Sequence, residues 1–145
     1  MTRTLRIFLA LAVSAAAIAT SASAQAPSGA AQPAGATELF RTALPDMPGK
    51  QLVVVALTIQ PKRADQPASP GHRHPGSVYV YVTEGTARFG VEGQPVKEVK
   101  TGESFFEPPG ALHNIMESTH PTQPAKAIGV MIVPDGAPLT LPAKP

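Results

Sequence analysis

"GESFFEPPGALH", Gly102 to His113, places two turns and one histidine at fixed distances from each other. Gly102 opens a turn. Pro108-Pro109-Gly110 makes a second, sharper one, and His113 then begins a new β-rich run. Proline fixes φ and glycine tolerates positive φ, so a turn of this composition is rigid. A rigid turn directly ahead of a histidine fixes where its ring points. The register reads G-x5-P-x-G-x2-H.

Upstream lies "SPGHRHPGSVYVYVTEG", residues 69–85, which holds two of the chain's 4 histidines, His72 and His74. Residues i and i+2 of a strand share a face, so both rings can point into the same interior. Neutral imidazole is the commonest metal ligand. Two imidazoles from one strand and His113 from a facing strand make a three-cornered site. A metal held that way keeps positions for water, dioxygen or substrate. Pro70, Gly71, Pro75 and Gly76 would also suit plain loop histidines; His113 in its rigid register turns the reading toward metal ligation. His120, in "STHPTQP", reads as an exposed turn residue.

The rest of the chain reads as β structure. All 17 prolines lie beyond residue 24 and interrupt every helical window. Seven short runs rich in β-branched or aromatic residues lie between turn signals: 51–60, 77–83, 87–92, 96–100, 103–107, 113–118 and 126–133. Many short strands with close turns predict an all-β antiparallel sandwich or barrel. The tail from Pro134 predicts an edge strand or a wrapped terminus. Tyr79 and Tyr81 alternate with Val78 and Val80, so if the valines face the cavity the tyrosines form outer packing or an oligomer contact. Phe89, Phe105 and Phe106 are expected to fill the barrel, and Arg73, between the two histidines, to be a solvated charge.

Residues 1–24 read as a secretory signal peptide. Arg3 and Arg6 precede an apolar run of 12 residues, Ile7 to Ile18, and Ala22-Ser23-Ala24 is a small-residue cleavage site. A spanning helix needs ~20 residues, and with 0 cysteines no lipid anchor is available. Residues 25–37, small, polar and proline-bearing, read as a flexible leader, and 38–145 as one domain. The expected location is the periplasm or the exterior. The formal charge of +2 comes from 12 Lys+Arg against 10 Asp+Glu. Both excess cations are Arg3 and Arg6, so the mature chain is near neutral. No basic cluster exists to neutralise phosphates, which excludes nucleic acid. Nothing marks a membrane partner after cleavage. A homodimer would cover exposed sheet edges.

"HRH…G" followed by "GESFFEPPGALH" resembles the two motifs of the cupin family, over roughly residues 50–133. His72, His74 and Gly85 match the first motif; Gly102, Pro108, Gly110 and His113 match the second. The resemblance implies a jelly-roll β-barrel that holds one divalent metal through histidines. Two positions depart from the pattern. The family's metal-binding Glu falls at Val78, or at Tyr79 with the longer spacer, and its Asn falls at Glu117. Three outcomes follow: a three-histidine centre, a carboxylate supplied from elsewhere, or a weak site. Glu107, just before the Pro-Pro-Gly turn, is the first substitute as fourth ligand or supporting residue. Glu117 is the second, but four strand residues span ~13 Å. One carboxylate fewer would favour an anionic substrate on the metal. Asn114, Met116 and Arg88 are further residues that could line the pocket.

The implied cofactor is a divalent transition metal, Fe(II) favoured, with Zn, Mn, Ni or Cu as alternatives. The expected function is an iron-dependent dioxygenase-type oxidoreductase acting on a small molecule. A non-catalytic periplasmic binder of a small ligand or metal is the alternative, and the apolar Val78 favours it. A zinc hydrolase or hydratase is a third reading, opposed by the second motif's register. No nucleophile elbow, phosphate loop or dinucleotide fingerprint is present.

Overall fold

A computed structural model describes residues 35–65 and 69–144, and among these there are ten strands and no helix. The seven expected runs form β2 (Lys50–Ile59), β4 (Ser77–Glu84), β5 (Thr86–Val91), β6 (Lys97–Lys100), β7 (Ser104–Glu107), β8 (Leu112–Ser118) and β9 (Ala125–Pro134). Three more complete the set: β1 (Ala36–Ala43), which the sequence does not announce; β3 (His72–Arg73), shorter than the expected strand because it stops before His74; and β10 (Leu141–Pro142) in the tail. β1 escaped notice for a physical reason. A bulge between Glu38 and Phe40 breaks its alternation, so Leu39 and Phe40 are both exposed. Its start at Ala36 also assigns to the sheet two residues expected in the leader. Residues 25–34 of that leader and the signal segment 1–24 lie outside the described residues. β10 pairs with β3 at the edge of its sheet, as the tail's composition predicted.

Two five-stranded sheets face each other, ordered β1-β2-β9-β4-β7 and β10-β3-β8-β5-β6. All their pairings are antiparallel. Every connection except β1–β2 and β5–β6 passes from one sheet to the other, which is the path of a jelly roll. Alternation decides the interior. Val53 and Val55 on β2, Val78, Val80 and Val82 on β4, and Met131 and Val133 on β9 point inward from the first sheet. Phe89 and Val99 meet them from the second. The Phe89 and Phe105 rings stack at 5.1 Å and join the sheets. Fully burying a side chain of this kind contributes about 1.5–3 kcal/mol.

Phe106 does not fill the barrel. Consecutive strand residues face opposite ways, and with Phe105 inside, Phe106 lies outside and is exposed. It joins an outward row that runs across the whole first sheet: Phe40, Val54, Val130, Tyr79 and Phe106 are register partners in turn. Tyr81 lies in the adjacent row beside Ile128, and both tyrosines face away from the interior as their parity required. The second sheet's outer face differs: Glu98, Arg88 and Glu117 form its corresponding row.

Candidate metal centre

The two histidine segments meet because glycine permits it. Gly71 has a φ of 78°, and a Cβ there would press on the His113 carbonyl. A side chain at Gly76 would overlap the Ile132 backbone of β9. Between them, His72 pairs directly with His113 across the β3–β8 ladder. The Pro-Pro-Gly turn is clamped from the same side. The Gly110 amide donates to the His74 carbonyl at 2.8 Å, and Arg73 donates to the Gly110 carbonyl at 2.6 Å. Arg73 also donates to the Ala143 carbonyl at 3.1 Å, so it ties both histidine segments to the tail rather than standing as a solvated charge. Its pattern of contacts spans 37 and 70 residues of sequence, and nothing local announces it.

His72, His74 and His113 converge, with one donor nitrogen from each all lying within 4.8 Å of one another. The three-residue convergence expected from their spacing is present. Glu107 stands beside two of the three. Its Oε2 lies 3.2 Å from His113 Nδ1 and 3.6 Å from His74 Nε2, and its side chain is 3% exposed. The position explains the missing motif carboxylate. Val78, where the family pattern has Glu, is the direct cross-strand partner of Glu107 in the β4–β7 ladder. Paired residues of an antiparallel ladder project from one face with Cβ atoms about 5 Å apart. Glu107 therefore enters, from one strand to the side, the same cavity that Val78 faces. Glu117 is elsewhere: it holds Arg88 at 2.8 Å on the outer face of the second sheet. Asn114 and Met116 line the mouth beside His113, whereas Arg88 does not. His120 is exposed, and its Nδ1 accepts from the Thr122 and Gln123 amides.

Hydrogen bonds to carbonyls fix the tautomers. His74 Nδ1–H donates to the Leu139 carbonyl at 2.6 Å, which leaves Nε2 as the lone-pair atom facing the cluster. His113 Nε2–H donates to the Ile115 carbonyl at 2.7 Å, which leaves Nδ1 facing Glu107. His113 Nδ1 and Glu107 Oε2 are buried and have no hydrogen-bond donor among the described residues. Their 3.2 Å approach calls for a proton on the Glu107 carboxyl or a cation shared by the two atoms. The Nε2 atoms of His72 and His74 are 3.1 Å apart. Two nitrogens bound at right angles to one ion at about 2.1 Å each would be about 3.0 Å apart.

Burial sets the charge states. It pulls His113 down to about 4, against the upward pull of the Ile115 hydrogen bond. It pulls His72 down to about 4 with help from His74 and His113, and lowers His74 against the Leu139 bond. It pushes Glu107 up to about 7. The imidazoles are therefore neutral at pH 7 and free to donate lone pairs. The cavity they share is small, about 30 Å³, and is walled by Val55, Leu57, Val78, Val80 and Met131. His72 and His113 also border an outer cleft of about 290 Å³ lined by Ser69, Asn114, Ile115, Met116 and Thr140. Leu139 was invisible as a site residue in sequence, since it acts through its backbone from 65 residues away.

A comparison with curated proteins returns no match. Solved structures share the fold. A double-stranded β-helix protein from Klebsiella pneumoniae aligns with TM-score 0.53 and 23% identity, covering 73% of this chain and 81% of that one. HppE, solved with Fe(II) and substrate, aligns with TM-score 0.52 and 23% identity, covering 70% of this chain and 55% of that one. The DMSP lyase DddQ from Ruegeria pomeroyi aligns at 0.47 and 22% identity, covering 64% of this chain and only 42% of that one. The family model described as "Cupin domain" matches residues 58–133. That span runs from the end of β2 to the end of β9 and takes in all four clustered side chains, and the chain belongs to the cupin family.

Proposed function

We propose that the protein binds one divalent transition metal through His72, His74, His113 and Glu107, and that Fe(II) there serves a dioxygenase-type oxidation of a small molecule. The observation that carries the metal is the convergence of three neutral imidazoles, with one nitrogen each from His72, His74 and His113 within 4.8 Å of one another, beside the buried pair of His113 Nδ1 and Glu107 Oε2. Such a pair is costly to bury unless a cation or proton lies between them. Three neutral imidazoles and one carboxylate suit Fe(II), and also Zn, Ni, Cu and Mn. HppE shows that this fold can carry Fe(II).

The chain's own residues have defined tasks in this reading. Leu139 and Ile115 hold two imidazoles in the donating tautomer. Val55, Val78, Val80 and Met131 keep bulk water from the inner wall. Ser69, Asn114 and Thr140 offer hydrogen bonds to a small substrate in the outer cleft, where His72 and His113 form the floor toward the ion. Bound Fe(II) would supply the redox-active centre for dioxygen. With Glu107 in place the set regains a carboxylate, so the expected preference for anionic substrates loses its basis.

The 30 Å³ interior favours a second reading. That space admits an ion and about one water, which suits a binder without turnover. Elemental analysis of purified protein, with His72→Ala and His113→Ala beside it, tests the shared claim; bound metal should be lost in both variants. An absence of metal affinity in the parent protein would end it. Oxygen uptake by the Fe(II)-loaded protein over thiols, diketones and phenols then separates enzyme from binder. Export belongs to the same proposal, and sequencing the N-terminus of protein secreted by cells checks it, with Gln25 expected first.

A further inference from the structure

Two spaces adjoin the histidine cluster. The inner cavity of about 30 Å³ has its far wall in the first sheet, with Val55, Leu57, Val78, Val80 and Met131. The outer cleft of about 290 Å³ opens where a ladder stops. β3 and β8 pair only at His72–His113 and Arg73–Leu112. Beyond His113 the two chains part, and Asn114 to Met116 line the gap. His72, His113 and Met116 border both spaces.

A bulge puts Met116 there. Val91 pairs with His113 and Gly90 with Ile115, so Asn114 is an extra residue in β8. Without it, residues three apart would face opposite ways. With it, His113 and Met116 both face inward, and Met116 lies directly across from the buried Phe89. Met116 keeps partial exposure all the same, whereas Met131 on the far wall is buried. The three shared residues differ in freedom. The Ile115 carbonyl holds the His113 ring, and His72 is fixed by its pairing with His113. Met116 is unbranched and turns about three bonds.

We propose that Met116 sets which molecules reach the metal centre: it passes water-sized and diatomic ligands from the cleft and keeps an uncharged organic molecule outside, against Asn114 and Thr140. The size rule follows from the inner cavity of about 30 Å³, which has room for an ion and about one water. The charge rule follows from the cleft, whose described lining residues include no Asp, Glu, Lys or Arg. Both rules rest on the proposed metal centre.

Neutral probes of two sizes test the partition without turnover. In the Fe(II)-loaded parent, kept free of oxygen, nitric oxide should bind, as read by electron paramagnetic resonance, and imidazole should not compete with it. In Met116→Ala imidazole should compete at a concentration lower by about tenfold or more, the scale on which pockets discriminate by size. Met116→Leu, of similar volume, should behave as the parent, and Met116→Phe should slow nitric oxide uptake. Metal-free protein gives a second reading. Met116→Ala joins the two spaces, so benzene should raise its melting temperature but not that of the parent.

A parent that takes up no metal ends the metal reading, and the benzene contrast then decides the partition by itself. Imidazole that competes equally well in the parent and in Met116→Ala overturns the inference while leaving the metal reading intact. Benzene that shifts both proteins alike, or neither, overturns it as well. Should Met116→Ala fail to fold, nitric oxide uptake in Met116→Phe as fast as in the parent is the overturning result.

Discussion

Glu107 and Val78 exchange roles that one residue usually combines. If position in the cavity matters and not the parent strand, the carboxylate can be moved back. Glu107→Gln alone is expected to weaken metal binding more than about 100-fold, beyond what losing a supporting residue costs. Val78→Glu added to Glu107→Gln should recover much of that loss, read by metal titration of both variants. The same residues set the acid response of the metal-free protein. The folded-state pKa of His72 and of His113 is about 4, below the ordinary 6.5, so the unfolded chain holds protons that the folded chain does not. Stability from these groups is present above 6.5 and lost as pH falls toward 4. Glu107 works in the opposite sense. Its carboxyl is raised from 4.5 to about 7, so its contribution is lost as pH rises through that window. Two lowered imidazoles with assigned values, and His74 in the same direction, outweigh one raised carboxyl. Denaturant midpoints of the metal-free protein should therefore climb from pH 4.5 to 6.5 and then level or dip. Glu107→Gln should remove the dip.

The elements carrying the site were largely legible, and the failures share a cause. β2, β4 and β9 announced themselves by β-branched alternation, and the turn before His113 by its Pro-Pro-Gly. The convergence of His72, His74 and His113 was legible from their spacing, although the strand stops at Arg73 and His74 lies just past its end. What could not be read was lateral placement. A sequence does not say which strand lies beside which, so Glu107 could be nominated but not set opposite Val78. Arg73 and Leu139 act across 70 and 65 residues through carbonyl groups, which carry no side-chain signature. β1 lost its period at a bulge. The Arg73 clamp leads to an expectation at this scale. Arg73→Met removes two hydrogen bonds from a charged donor and should lower stability by about 2 kcal/mol or more. Metal retention should fall with it, because the Pro-Pro-Gly turn is then tied to the His74 segment by the Gly110 amide alone. Arg73→Lys, without the planar fork, should restore only part. Gly76→Ala is expected to yield little folded protein, since no side chain fits against Ile132.

Across the whole molecule, the centre joins the two sheets. Glu107 belongs to the first, and His72 and His113 to the second. An ion gripping both would act as a rivet, stabilising the folded state by about 4 kcal/mol when free metal is roughly 1,000 times its Kd. Chelation should therefore lower the melting temperature of the parent protein but leave that of His113→Ala nearly unchanged, a comparison that calorimetry reads directly. Leu139, finally, orders events in time. Its carbonyl fixes the His74 ring, and the adjoining residues 141–143 brace Arg73 and the strand that bears His72. A nascent polypeptide still lacking those residues on the ribosome has all three imidazoles but not the brace that aims them. Loading with metal thus belongs after translation has passed Ala143.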